Sequence, residues 1–130
     1  MNGGTITALG AGLAGAAVAL GAFGAHGLRA RVSPEMLAVF ETGVRYQFYH
    51  ALGLILLGVF ATRSLPRLDG GGSNAGVGYA AWCFIAGIAL FSGSLYGLTL
   101  AGARWLGAIT PIGGVLFLVG WALFARAAMR

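Results

Sequence analysis

Residues 41–60 read ETGVRYQFYHALGLILLGVF: ten residues dense in polar and ionisable side chains, followed at once by ten that carry none. An apolar run of that kind belongs in the hydrocarbon core of a bilayer, which leaves the polar half at the mouth of the same segment. A membrane helix with its chemistry at one end is therefore the element around which the chain is built.

The composition of the whole chain agrees. The 130 residues are 58% hydrophobic and 8% charged, whereas soluble domains carry about 25% charged residues. The length suits one domain. Four apolar stretches, residues 5–25, 45–61, 78–98 and 106–124, each approach the ~20 residues that cross a bilayer core. The first has no basic residue before it and is too long for a signal peptide, so it reads as a retained span. All eight basic residues are arginines, scattered through the chain, and the formal charge is +5. No run of them could follow a phosphate backbone, so the expected partners are membrane lipids with anionic headgroups and not nucleic acid. The single cysteine, Cys83, lies inside an apolar stretch and reads as a small buried residue.

These features predict an all-α membrane protein, an antiparallel four-helix transmembrane bundle with a short interfacial helix between spans 1 and 2. Residues 63–76, with a proline and three consecutive glycines, read as a flexible loop. Between the first two spans Ser33 suits an N-cap, Pro34 the first helical position and Glu35 the positive end of the helix dipole. A helix from Pro34 to Phe60 exceeds one span, so an interfacial segment bending near Gly43 is expected.

The first span is built from small residues. Gly10, Ala14, Ala17, Gly21 and Gly24 make one face that lets a neighbouring backbone come close, and Ala11, Gly15 and Ala19 make a second. The first is expected to pack inside the bundle and the second against another copy, giving a homo-oligomer. Trp82 and Tyr96, and Trp105 and Trp121, mark the ends of the third and fourth spans as aromatic belts would. Four spans put both termini on one side. Arg29, Arg31, Arg45 and Arg104 balance Arg63, Arg67, Arg126 and Arg130; if the bundle engages Arg45, it drops out of the loop count, and the termini are expected in the cytoplasm.

Alternation of the spans fixes relative depth. His26, Tyr46, Gln47, His50, Ser92, Ser94, Tyr96 and Thr110 all fall near one membrane face, His50, Ser92 and Thr110 roughly 6 to 9 Å inside it, while residues 53–60 and 115–119 on the other side are apolar. On the second span Gly43, Gln47, His50, Leu54 and Leu57 recur at three or four residues as an inward strip, and Glu41 and Arg45 are spaced for an ion pair. The candidate ligand-binding cluster is thus His26, Tyr46, His50, Ser92, Ser94, Tyr96 and Thr110, with Glu41 and Arg45 at its rim. An ionisable group within a span marks a proton, ion or substrate site by default, and histidine is the side chain that could titrate near neutral pH, which singles out His50. The competing reading is structural, the same groups joining helices by hydrogen bonds of about 0.6 to 2 kcal/mol each.

Other chemistries find less support. His26 and His50 belong to different helices and only Glu41 could add a carboxylate, so no metal site is expected. Ser92 and Ser94 lack the strand-to-helix elbow of a nucleophilic serine, and no catalytic residue is assigned. GAGLAG at residues 10–15 follows no strand, so no cofactor is expected. Pro111 either starts the fourth helix or kinks it.

GAFGAHGL at residues 21–28, FETGVRYQFYHALGL at 40–54, FSGSLYGLTL at 91–100 and TPIGGVLFLVGW at 110–121 together resemble the small four-span membrane proteins of domain-of-unknown-function family 423, to which animal transmembrane protein 256 is also similar. The resemblance covers nearly the whole chain in the same order, excluding the glycine-rich loop and the arginine-rich ends; Arg45 and Gln47 are not carried over. It implies a four-helix protein of bacterial inner membranes or mitochondria and implies no activity. The function expected is that of a non-enzymatic membrane protein whose one-sided cluster binds a small ligand, a lipid headgroup or a proton. A purely structural subunit of a membrane complex, and a headgroup-level enzyme with His50 as acid or base, are the alternatives.

Overall fold

The computed structural model describes residues 1–64 and 74–129; the centre of the expected loop, with Arg67 and the three glycines, and Arg130 lie outside them. Among the described residues four helices, Gly3–Leu28, Pro34–Ser64, Ala75–Ala101 and Arg104–Ala128, are each long and apolar enough to cross a membrane. They form the all-α membrane bundle expected.

Local chemistry sets where the helices begin. Asn2 caps the first by accepting from the Thr5 amide at 2.8 Å, which satisfies one of the donors a helix start leaves open. Ser33 does the same for the second, accepting from the Met36 amide at 3.2 Å. Pro111 lies in the first turn of the α-helical segment Thr110–Ala128, so it starts that helix and does not kink it.

The second helix is longer than expected. It runs unbroken through Gly43 for 31 residues, or ~46 Å at 1.5 Å per residue. The interfacial segment is thus its first turns, continuous with the span and not a separate bent element. A glycine inside a helix is tolerated where packing compensates, and a side chain at Gly43 would strike the Tyr96 ring at 2.9 Å.

The first two helices pack antiparallel along a narrow seam. Gly3, Ile6, Gly10, Ala17 and Gly24 are its buried positions, and Gly3, Gly10, Ala17 and Gly24 recur every seven residues, the spacing of a coiled-coil contact line. The closest crossing pairs Gly3 with Gly58: a Cβ on either would sit 2.6 Å from the other's carbonyl oxygen. Thr7 donates to the Gly3 carbonyl at 3.0 Å and Thr62 to the Gly58 carbonyl at 2.9 Å, so the contact is nearly two-fold symmetric.

The third and fourth helices pack antiparallel by the same device. Gly113 lies on the backbone of Phe91, Gly87 on the Phe117 ring and Gly120 on the Phe84 ring. A left-handed residue, Gly102 with φ of 66°, turns the chain between them. The third helix holds a π-helical turn, Ile88–Ser92, and the first ends in another, Gly24–Leu28. The apolar core has Leu54, Leu57, Phe84 and Phe117 of the second, third and fourth helices at its centre, and the first helix adds Ile6 to it.

Candidate functional site

Gly43, Gln47, His50, Leu54 and Leu57, the strip read from helical spacing, are all buried. Their face of the second helix looks into the bundle because the core needs Leu54 and Leu57, and the same 3.6-residue period then carries Gln47 and His50 inward. What they meet there differs between the two.

Gln47, 4% exposed, joins three helices. Its Nε2 donates to the Leu13 carbonyl at 2.9 Å on the first helix. Its Oε1 accepts from the Tyr96 hydroxyl at 2.9 Å on the third. One turn nearer the membrane face on the second helix, the Gly43 carbonyl accepts from the hydroxyl of the fully buried Ser92 at 2.6 Å. The π-helical turn that ends at Ser92 lies at this contact. Further along, Ser94 donates to the Phe91 carbonyl at 2.8 Å and shares a 2.7 Å bond with the Thr110 hydroxyl, tying the third helix to the fourth. Thr99 donates to the Leu95 carbonyl within its own helix at 2.9 Å.

His50 has different company. Its Nδ1 lies 2.7 Å from the Tyr46 carbonyl, which can only accept, so the bond is internal to its helix and places a proton on Nδ1. The imidazole stacks on the Phe117 ring, with centroids 3.4 Å apart and planes at 8°. Phe84 and Trp121 complete an aromatic nest, at 5.6 and 6.1 Å. Tyr46, 39% exposed, stacks on Phe91 at 4.6 Å.

The expected cluster is thus divided. Tyr96, Ser92, Ser94 and Thr110 make polar links between helices, whereas His50 and Tyr46 pack with aromatic rings. His26 joins neither group: it is exposed, because Gly24 and Leu28 take the inward face of that turn and a residue two positions away points elsewhere. The rim pair is present, with Arg45 and Glu41 at 3.5 Å and both largely exposed. Gln47 lies outside the expected ligand-binding set although it is the group that bonds to two other helices. Its signal in the sequence is the inward strip; the Leu13 carbonyl that it reaches is backbone and leaves no mark there.

Among the described residues, no buried side-chain nitrogen or oxygen lacks a hydrogen-bond partner, and no three His, Cys, Asp or Glu side chains converge as metal ligands would. Chemically the linking groups are closed: Gln47, Ser92, Ser94, Tyr96 and Thr110 bond to one another or to backbone carbonyls.

The family model described as "Protein of unknown function (DUF423)" matches residues 20–114, the region that includes these groups except the Leu13 carbonyl, Phe117 and Trp121. The chain is 48% identical over 114 residues to the UPF0382 membrane protein YwdK of Bacillus subtilis, covering 88% of this chain and 87% of that one. It is 44% identical over 114 residues to UPF0382 membrane protein SERP0230 of Staphylococcus epidermidis, covering 88% and 86%. With UPF0382 membrane protein SH2409 of Staphylococcus haemolyticus it shares 47% over 106 residues, 82% and 80% of the two chains. No solved structure matches the chain.

Proposed function

The chain belongs to the family described as protein of unknown function (DUF423), and we propose that it is a non-enzymatic membrane protein in which the buried polar groups fasten four helices into one rigid body. It works through the surface that this body presents to lipid and to other chains. The observation that carries this reading is the pair of hydrogen bonds of Gln47, which donates to the Leu13 carbonyl and accepts from the Tyr96 hydroxyl. An amide satisfied on both sides by neighbouring helices has no need of a ligand, and in lipid an unmet amide would be costly.

The packing of His50 supports the same reading over an acid or base role. Flat against Phe117, with Nδ1 engaged by its own helix, the ring is placed as a core aromatic. Of the candidate ligands, a lipid headgroup keeps a place in this reading, but on the outer surface and not in the cluster.

The relatives in Bacillus and Staphylococcus are named membrane proteins, which favours a bacterial inner membrane; cytoplasmic termini remain part of the proposal. So does self-association through Ala11, Gly15 and Ala19 on the second small face of the first helix, where Gly15 has open space around it.

A high-resolution structure in lipid nanodiscs tests the reading. Protein density alone between Gln47, Ser92, Ser94 and Thr110 is the result expected. Density for a bound small molecule in that space would restore the cluster as a binding site.

A further inference from the structure

Away from the cluster, two openings lie on one seam between the first two helices. One, of about 470 Å³, is walled by Ala25, Arg29, Leu37 and Glu41 among others. The other, of about 310 Å³, is lined by Val18, Gly21, Val44 and Phe48, with Arg45 and Tyr49 at its edge. On the first helix Val18, Gly21 and Ala25 follow at intervals of three and four residues, and Arg29 comes four residues later, just past the helix end at Leu28. On the second, Leu37, Glu41, Arg45 and Tyr49 follow at intervals of four. Each helix therefore presents one stripe to the seam, and the two openings follow one another along it as the upper and lower parts of one furrow.

The chemistry of the furrow changes with depth. Arg29 comes directly after the first span and stands at headgroup level. Gly21, eight residues earlier, lies about two helical turns deeper in the span. The upper opening offers a guanidinium and a carboxylate; the lower one is apolar. An amphiphile with a charged group above a hydrocarbon chain matches that order.

Charge narrows the choice. Glu41 is engaged by Arg45 at 3.5 Å, whereas Arg29 has no ionic partner among the described residues. The three charges along the furrow leave one excess positive charge, which one phosphodiester neutralises, and arginine recognises phosphate with paired donors. Glu41 can accept from a hydroxyl on the headgroup. We infer that this furrow is the seat of one anionic phospholipid, held by its phosphate at Arg29 and by an acyl chain laid over Gly21 between Val18 and Val44. The site deepens the proposal that the protein works through its lipid-facing surface, yet it shares no residue with the buried polar links, so either can fail alone.

Native mass spectrometry of the full chain in detergent, with equimolar phosphatidylglycerol, phosphatidylethanolamine and phosphatidylcholine, provides the test. One phosphatidylglycerol per chain should be retained in preference to both zwitterionic lipids. Arg29→Gln should lower that preference about five-fold, while Arg104→Gln, on the same membrane face but outside the furrow, should leave it unchanged. Gly21→Leu, whose Cβ would meet Val44 Cγ1 at 3.4 Å in ordinary contact, should fill the lower furrow and reduce retention of phosphatidylglycerol. Circular dichroism checks that each variant is folded, and Val18→Phe, at an exposed position, serves if Gly21→Leu is not. Equal retention of the three lipids, a preference for a zwitterionic one, or an equal loss from Arg29→Gln and Arg104→Gln would each overturn the site.

Discussion

Tyr96 donates its hydroxyl to Gln47 Oε1 at 2.9 Å across the interface of the second and third helices, and the other end of that amide is bound to the first. Helices in lipid gain little from hydrophobic association, so close packing and such bonds hold them together. A single side chain that serves three helices is accordingly a centre of the bundle's stability, and the consequences can be measured.

At the Gly3–Gly58 crossing a methyl group has no room, since a Cβ on Gly58 would press on Thr7 and on the Gly3 carbonyl. Gly58→Ala should destabilise the protein by about 1 to 3 kcal/mol. Gly93, inside the third helix with nothing within 4 Å, is the control: Gly93→Ala should be neutral or stabilise by up to ~1 kcal/mol, as alanine does in a helix. Thermal unfolding in detergent micelles ranks the two; equal melting points would show that the crossing has room to spare.

Ser92 is buried and its hydroxyl serves the Gly43 carbonyl. Ser92→Ala and Thr110→Val each remove one link between helices and should each cost about 1 kcal/mol in unfolding by steric trapping. Because the two sites join different helix pairs, their effects should add to within roughly 0.5 kcal/mol.

His50 is read as a packed ring, so His50→Phe, which keeps the stack on Phe117, should retain the wild-type fold, while Phe117→Ala empties the nest and should cost roughly 3 kcal/mol. A His50→Phe protein that unfolds as readily as Phe117→Ala would mean that the imidazole nitrogens matter more than the ring.

Gly102 turns the chain with φ of 66° and open space around it. Gly102→Ala therefore isolates backbone strain from crowding and should cost about 1 kcal/mol. Gly102→Asn, which tolerates that conformation better, should recover part of the loss; the order of melting temperatures decides.

Much of this is legible in the residues because the bilayer imposes it. The lengths of the apolar runs define the spans, and the recurrence of Gly10, Ala17 and Gly24 marks the face of the first helix that meets the second. Ser33 and Pro34 announce the start of the second helix. Depth alone, however, places His26 beside His50, and depth says nothing of rotation about a helix axis; Gly24 and Leu28 take the inward face and turn His26 out. Gly43 suggests a bend because glycine is flexible, whereas its role is to admit the Tyr96 ring. The separation of His50 from the hydroxyls depends on Phe84, Phe117 and Trp121, three residues on two other helices, whose convergence only the packed bundle reveals.

Whether the buried polar groups fasten the helices to one another is decided by a double-mutant cycle on Gln47→Leu and Tyr96→Phe, with unfolding free energies measured in bicelles. A favourable coupling of about 0.6 to 1.7 kcal/mol between the two side chains is expected, whereas a coupling of zero, with the two substitutions simply additive, would mean that the bond between them does not hold the bundle together.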